Sequence, residues 1–400
     1  MQTTTHVSDR SHIGPLVLAF CIGVAVMCIR AGFAVLYPAF GADLHLSTTE
    51  ATGAYALSMP VYSVSVIGAG VLLDRIGIRT TMLISLSIQL LGLVLASFSQ
   101  DLVQLYLAWG VLVGLGMSGA GYVANLKMLA VATPRHLGLG LGVMSAGQGL
   151  GALLISPAIQ IMIDIGGWRF AQVGIAVIVG TLLIPLILLV APRRETHHKD
   201  DVAGDSMIGA IRNQPVAFAW AFLALAAMGY TLLLPTHQVA YLTSVGMPAI
   251  MAATIGGVTG GMMSVGGVIG GWLAIRVGAP RLILTGGLMA ALGALALPFA
   301  GPDTPLMIAL YLLGAGAGRG IITVGLGSIQ AKVFPGKTLG RMSGLLEIGF
   351  GMGGLAGPSL TAAGRDVFGS YVPGIVSAAP AAVLVAMGGL AAWRTRVRAG

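Results

Sequence analysis

Three charged side chains stand inside apolar runs of this 400-residue chain. Arg30 interrupts the first run. Arg319 lies in Gly314-Ala-Gly316-Ala-Gly318-Arg319-Gly320, and Glu347 in Ser343-Gly344-Leu-Leu-Glu347-Ile-Gly349. A guanidinium carries a rigid fork of donors that matches a carboxylate. A carboxyl group beside a cation either pairs with it or exchanges a proton. A charge at the centre of a bilayer costs about 2.5–3.5 kcal/mol on insertion scales, so each of these residues needs a partner or a wet cavity.

Each has two readings. Arg30 lies about 17 residues into its run, or about 25 Å at 1.5 Å per residue. It either binds a substrate carboxylate or snorkels to an interface. Arg319 lies near mid-depth, where it either binds substrate or fixes helix contacts. Glu347 lies about 12 Å deep, near the level of Arg319. It is either the fixed ion-pair partner of Arg319 or a coupling site that takes up a proton when substrate captures that arginine.

The elements that must hold these residues are membrane-spanning helices. The chain is 56% hydrophobic and 8% charged, against about 25% charged residues in soluble domains. Helical spans need about 20 apolar residues. Twelve are predicted, at 13–38, 50–72, 79–98, 103–127, 137–163, 169–191, 215–240, 248–273, 281–300, 306–329, 339–362 and 370–393. The polar stretch 192–214 divides them into two sets of six, 13–191 and 215–393, with tails at 1–12 and 394–400. With the N-terminus inside, seventeen of the 21 Lys and Arg fall on the cytoplasmic side, and only Arg169 and Arg365 fall outside. That bias follows the positive-inside rule and places both termini in the cytoplasm. It also explains the net charge of +8 without nucleic acid. Cys21 and Cys28 share one helix and cannot bridge, and neither a Cys/His metal site nor a cofactor motif is present. No nucleotide-binding loop or catalytic triad is evident, so the chain reads as neither an ATPase nor another enzyme.

A short loop organises the whole. Gly70-Val-Leu-Leu-Asp74-Arg75-Ile-Gly77-Ile-Arg79 reads G-x-x-x-D-R-x-G-x-R, and a degraded copy, Gly271-Trp-Leu-Ala-Ile-Arg276-Val-Gly278-Ala-Pro280-Arg281, follows about 200 residues on. Glycines permit a tight turn, basic residues suit the cytoplasmic surface, and Asp74 can pair with an arginine or cap a helix end. The motif resembles the loop between the second and third helices of the major facilitator superfamily. Three further stretches resemble its monocarboxylate-transporter and oxalate:formate-antiporter branch. These are Arg30-Ala-Gly-Phe33, the glycine-rich 138–151 with Pro157 and Gly167-Trp168-Arg169, and His237-Gln-Val-Ala-Tyr241-Leu-Thr-Ser-Val-Gly246 with Ala252-Ala253. One position departs from that branch: Gly267 stands where its eighth span carries a substrate-binding arginine.

The resemblance implies an all-α integral membrane fold of twelve transmembrane helices in two pseudo-symmetric six-helix bundles. It places the first, fourth, seventh and tenth spans around a central cavity. Substrate contacts are then expected from Arg30, Arg319, Tyr122, Tyr230 and His237, with Glu347 as coupling or ion-pair residue. Asn125, Gln148, Tyr241 and Thr323 are lesser candidates, with Tyr241 and His237 close enough to the outer end to guard an entrance. The loop residues Gly70, Asp74, Arg75, Gly77, Arg79, Gly271, Arg276 and Gly278 would form the cytoplasmic gates. The expected protein is a monomeric secondary transporter in a bacterial inner membrane, moving a small organic anion by alternating access, with a proton as the candidate coupled ion. An exporter of drugs or hydrophobic compounds is the main alternative, its many methionines lining an adaptable pocket. A non-transporting sensor on the same scaffold is the other.

Overall fold

In the computed structural model the described residues are 13–121, 124–125, 128–129, 137–192, 207–333 and 338–399. Their regular structure is helical throughout. The spans are α1 (Ile13–Asp43), α2 (Thr48–Ile76), α3 (Ile78–Ser97), α4 (Leu102–Ala120), α5 (137–166), α6 (168–190), α7 (Pro215–Ser244), α8 (Ala249–Val277), α9 (Ala279–Ala296), α10 (305–333), α11 (Thr338–Phe368) and α12 (Val372–Ala399). A short helix, Met207–Asn213, precedes α7. Among the described residues, ten helices are long and apolar enough to cross a bilayer. One of these contains both α5 and α6, and the charge-bearing α11 completes twelve passes.

Sequence chemistry explains the joints. Ser47 and Glu50 form a capping box at the start of α2: the Glu50 N–H donates to Ser47 Oγ at 3.2 Å and the Ser47 N–H to Glu50 Oε2 at 2.8 Å. Gly77 ends α2 and starts α3 with φ 85°, and Gly278 does the same between α8 and α9 with φ 80°. Gly167 repeats the turn between α5 and α6 with φ 76°. A side chain at any of these positions would be strained. The two motif copies thus make the same turn in both halves.

Small residues set the packing distances. Within the first bundle, α1 and α5 meet backbone to backbone at Gly23, Gly147 and Gly151. In the second, Gly353 of α11 lies against the Ala226 carbonyl of α7, and Gly320 of α10 against the Met263 carbonyl of α8. Two seams join the bundles. Along α5 and α8, a Cβ on Gly257 would lie 2.8 Å from the Ala152 carbonyl oxygen, and Ser264 Oγ donates to the Ser145 carbonyl at 2.5 Å. Along α2 and α11, a Cβ on Gly351 would lie 3.0 Å from the Met59 carbonyl oxygen, and Ser63 Oγ donates to the Glu347 carbonyl at 3.0 Å. The face carrying residues 13 and 399 is called the near face below, and the opposite one the far face.

Candidate functional site

Between the bundles lies a cavity of about 1950 Å³, lined from both sides. Gly70, Gly271 and Gln330 line it toward the near face. Tyr55, Tyr311, Gln238 and Thr259 line it toward the far face. Arg30 enters from α1 and Arg319 from α10, one cation from each bundle. Methionines 27, 117, 144, 228 and 263 supply much of the apolar wall.

The arginines are held loosely. Arg319 Nη1 reaches the Thr231 carbonyl at 3.5 Å, at the break between the two helical pieces of α7, which is long for a hydrogen bond. The Arg30 guanidinium lies 6.0 Å from the Tyr62 ring centroid, and its buried Nε has no hydrogen-bond partner. Among the described residues, neither arginine has a carboxylate within ion-pair distance. The expected Arg319–Glu347 ion pair is therefore absent. Glu347 instead lies within electrostatic reach of Arg30, and the two arginines lie within reach of each other. The reason is helix placement: α11 packs along α2 and α7 and barely touches α10, which carries Arg319.

Other expected residues divide between cavity and scaffold. Gln148 and Thr323 line the cavity. Tyr230 does not; its hydroxyl lies 2.8 Å from Ser377 Oγ and ties α7 to α12. Tyr241 donates to the Pro298 carbonyl at 2.7 Å. Asn125 is fully buried, with Nδ2 3.5 Å from the Ala19 carbonyl. Tyr122 lies outside the described residues, as does the side chain of Asp74. In the loops, Gly70 and Gly271 leave open space at the cavity's near end. Arg79 Nε donates to the Ala191 carbonyl at 2.7 Å, closing the end of α6, and Arg276 stacks 4.0 Å over Trp272. Arg75 is exposed in the last turn of α2.

His237 also lies off the cavity wall, wholly buried in a polar latch on the far face. Its Nε2 is 3.0 Å from the Pro358 carbonyl of α11, and its Nδ1 is 3.1 Å from the Tyr37 hydroxyl of α1. Tyr37 is in turn 3.5 Å from the Tyr371 hydroxyl. Nearby, both carboxylate oxygens of Asp366, at the end of α11, accept backbone N–H groups at the start of α2. Thr48 donates at 3.0 Å and Thr49 at 2.8 Å. The latch and this clasp both join the bundles above the cavity. Phe33, stacked on Tyr55 at 5.1 Å and on Trp109 at 5.3 Å, forms an aromatic layer beneath Tyr37.

Reading by residue type missed Tyr311 and Gln238. Tyr311 stands two helical turns before Arg319, with Ala315 between them, and all three line the cavity. Gln238 accepts from Tyr311, and from Thr259 Oγ1 at 3.1 Å. Its neighbour His237, expected as a substrate contact, faces elsewhere because one residue turns a helix by about 100°.

Comparison with known proteins agrees with this architecture. The family model described as Major Facilitator Superfamily matches residues 19–318 and 262–400. Monocarboxylate transporter 11 of Homo sapiens is 26% identical over 369 residues, spanning 88% of this chain and 77% of that protein. Monocarboxylate transporter 13 of Bos taurus is 26% identical over 367 residues, spanning 90% and 84%. The crystal structure of a bacterial homolog to the human lysosomal transporter Spinster, inward-facing and unoccupied, superposes with a TM-score of 0.77 at 18% identity, covering 98% of each chain. Twelve helices in two bundles around a shared cavity, and a family match along almost the whole length, lead to one conclusion: this multi-pass membrane protein is a transporter, not an enzyme, and belongs to the major facilitator superfamily.

Proposed function

We propose that the chain moves a small organic anion, a carboxylate, by alternating access between its two bundles. The observation that carries this is the pair of cavity-lining arginines, one from each bundle, neither with a carboxylate partner among the described residues. A cation without a partner at mid-membrane is costly, and an anionic substrate removes that cost by forked hydrogen bonds. The similarity to monocarboxylate transporters supports the same class. Glu347 is the proposed coupling residue. An anion held at Arg30 offsets the positive charge that opposes protonation of Glu347, and Glu347 then accepts a proton. The near face is read as cytoplasmic in a bacterial inner membrane, with the units 13–191 and 215–393 moving about the linker 192–214 in a monomer.

The test is ligand-induced stabilisation of the purified protein by a panel of mono- and dicarboxylates and hydrophobic cations. A ligand at 100 times its Kd adds about 2.7 kcal/mol. Stabilisation by one carboxylate class, lost in Arg319→Gln and in Arg30→Gln, is expected. The wide methionine-lined wall favours one rival, an exporter of hydrophobic compounds. Stabilisation by hydrophobic cations alone, unchanged in both variants, would refute the anion site and establish that rival.

A further inference from the structure

The latch around His237 fixes the protonation state of a buried imidazole by geometry. A carbonyl oxygen can only accept, so Nε2, 3.0 Å from the Pro358 carbonyl, carries the hydrogen. In the neutral ring Nδ1 is then the acceptor, and the Tyr37 hydroxyl donates to it at 3.1 Å. Both ring nitrogens are satisfied, and the ring joins α7 of one bundle to α1 of the other.

A second proton would go on Nδ1 and face the Tyr37 hydroxyl as donor against donor. Tyr37 could turn its hydrogen only toward the Tyr371 hydroxyl, at 3.5 Å, which is a poor distance for an O–H···O bond. The charged groups around the ring do not help. Tyr37 faces it from α1 and Tyr371 from the turn just before α12, while Arg365 of α11 lies 5.4 Å over the Tyr371 ring and adds positive charge. Asp366 of α11 is engaged by the Thr48 and Thr49 N–H groups. The only titratable residue of α8 is Arg276, in its last turn near the opposite face. On α7 itself, Tyr241 is bonded to Pro298 and Tyr230 lies by Ser377. No carboxylate among the described residues is placed to compensate an imidazolium while the far face is closed.

We propose that His237 is a proton-binding site that controls the far face: it accepts a proton only when the latch parts and water reaches the ring, so protonation holds that face open and deprotonation lets it close. The proton comes from, and returns to, water on the far side, the outer one in the orientation proposed above. This goes beyond the proposed anion transport and needs no substrate. A failed arginine test leaves it standing, and its own failure leaves the anion site standing.

The experiment uses the full chain in lipid nanodiscs with Cys21→Ala and Cys28→Ala, spin-labelled through Val103→Cys and Leu306→Cys. These positions are exposed at the far ends of α4 and α10, one per bundle. Electron–electron distance distributions are recorded without substrate from pH 7.5 to pH 4.5. A longer-distance population should grow as pH falls below the ordinary range of histidine, by at most tenfold per pH unit because one proton is bound. His237→Gln, whose amide offers one donor and one acceptor but does not titrate, should remove that growth, and so should His237→Asn. Glu50→Gln, which removes a titratable carboxylate bonded only within its own bundle, should retain it. Absence of acid opening in the parent protein overturns the proposal by itself. Acid opening that persists in both histidine variants, or that vanishes in Glu50→Gln, overturns it as well.

Discussion

The clasp between Asp366 and the start of α2 makes a quantitative prediction about the balance between closed and open far faces. Asp366→Asn keeps one carbonyl acceptor but turns an NH₂ group toward the second backbone N–H. The variant therefore loses one of the two bonds, at 3.0 and 2.8 Å, together with the charge at the helix N-terminus. A hydrogen bond to a charged group contributes about 1.5–3 kcal/mol, and an anion at a helix N-terminus about 0.3–1 kcal/mol. Asp366 is exposed, and α2 keeps its own cap through Ser47, so solvent replaces much of what is lost. The net loss should be about 1 kcal/mol, a fivefold shift toward the open far face. The spin-label pair described above reads it at pH 7.5. Glu50→Gln is the control. Its carboxylate also accepts a backbone N–H at 2.8 Å on the same surface, but from Ser47 in its own bundle, so opening leaves that bond intact. If Asp366→Asn and Glu50→Gln shift the distances equally, or neither does, the clasp does not set the balance.

Two further outcomes separate packing and hydrogen bonding from ligand binding. A Cβ at Gly353 runs into the Ala226 carbonyl, whereas one at Gly327 meets nothing within 4 Å. Gly353→Ala should therefore destabilise by about 1–3 kcal/mol in thermal unfolding in detergent, and Gly327→Ala should leave the transition unmoved; equal transitions would mean that α7 and α11 part freely. Tyr311→Phe, which frees Gln238 at the cavity wall, should weaken binding of the stabilising carboxylate by about 2- to 10-fold, the value of one net hydrogen bond. Tyr230→Phe should leave affinity unchanged, and equal effects of the two would contradict the placement of these hydroxyls.

The fold was legible because its signals are strong and local. Apolar runs of span length and the turn glycines Gly77 and Gly278 are visible without any tertiary information. The placement of Arg30 and Arg319 inside apolar runs marked them for attention, since few residues are so costly there. What stayed hidden depends on rotation about helix axes and on contacts between bundles. Similar depth makes Glu347 a candidate partner of Arg319, but depth does not reveal which side of a helix faces which neighbour. His237 and Gln238 differ by one position but point to a latch and to a cavity. Asp366 gave no sign that it would reach Thr48, about 318 positions away in the chain, because nothing local connects the end of one helix to the start of another.

The seams between the bundles have a kinetic consequence. Gly149, Ala152, Gly257 and Ser264 on one side, and Ser63, Gly351 and Gly354 on the other, place small residues along the lines where the two halves touch. Surfaces of this kind have low corrugation: sliding one over the other does not lift large side chains out of holes, so the resistance to relative motion is small along most of the contact. The barrier then gathers at the few directional bonds between the bundles, those of Ser63 and Ser264 along the seams and, chiefly, those of Asp366, His237 and Tyr37 on the far face. The seams resemble a bearing and the far-face bonds its brake, so the rate of rocking should respond to single polar substitutions there far more than to apolar substitutions on the lipid-facing surface.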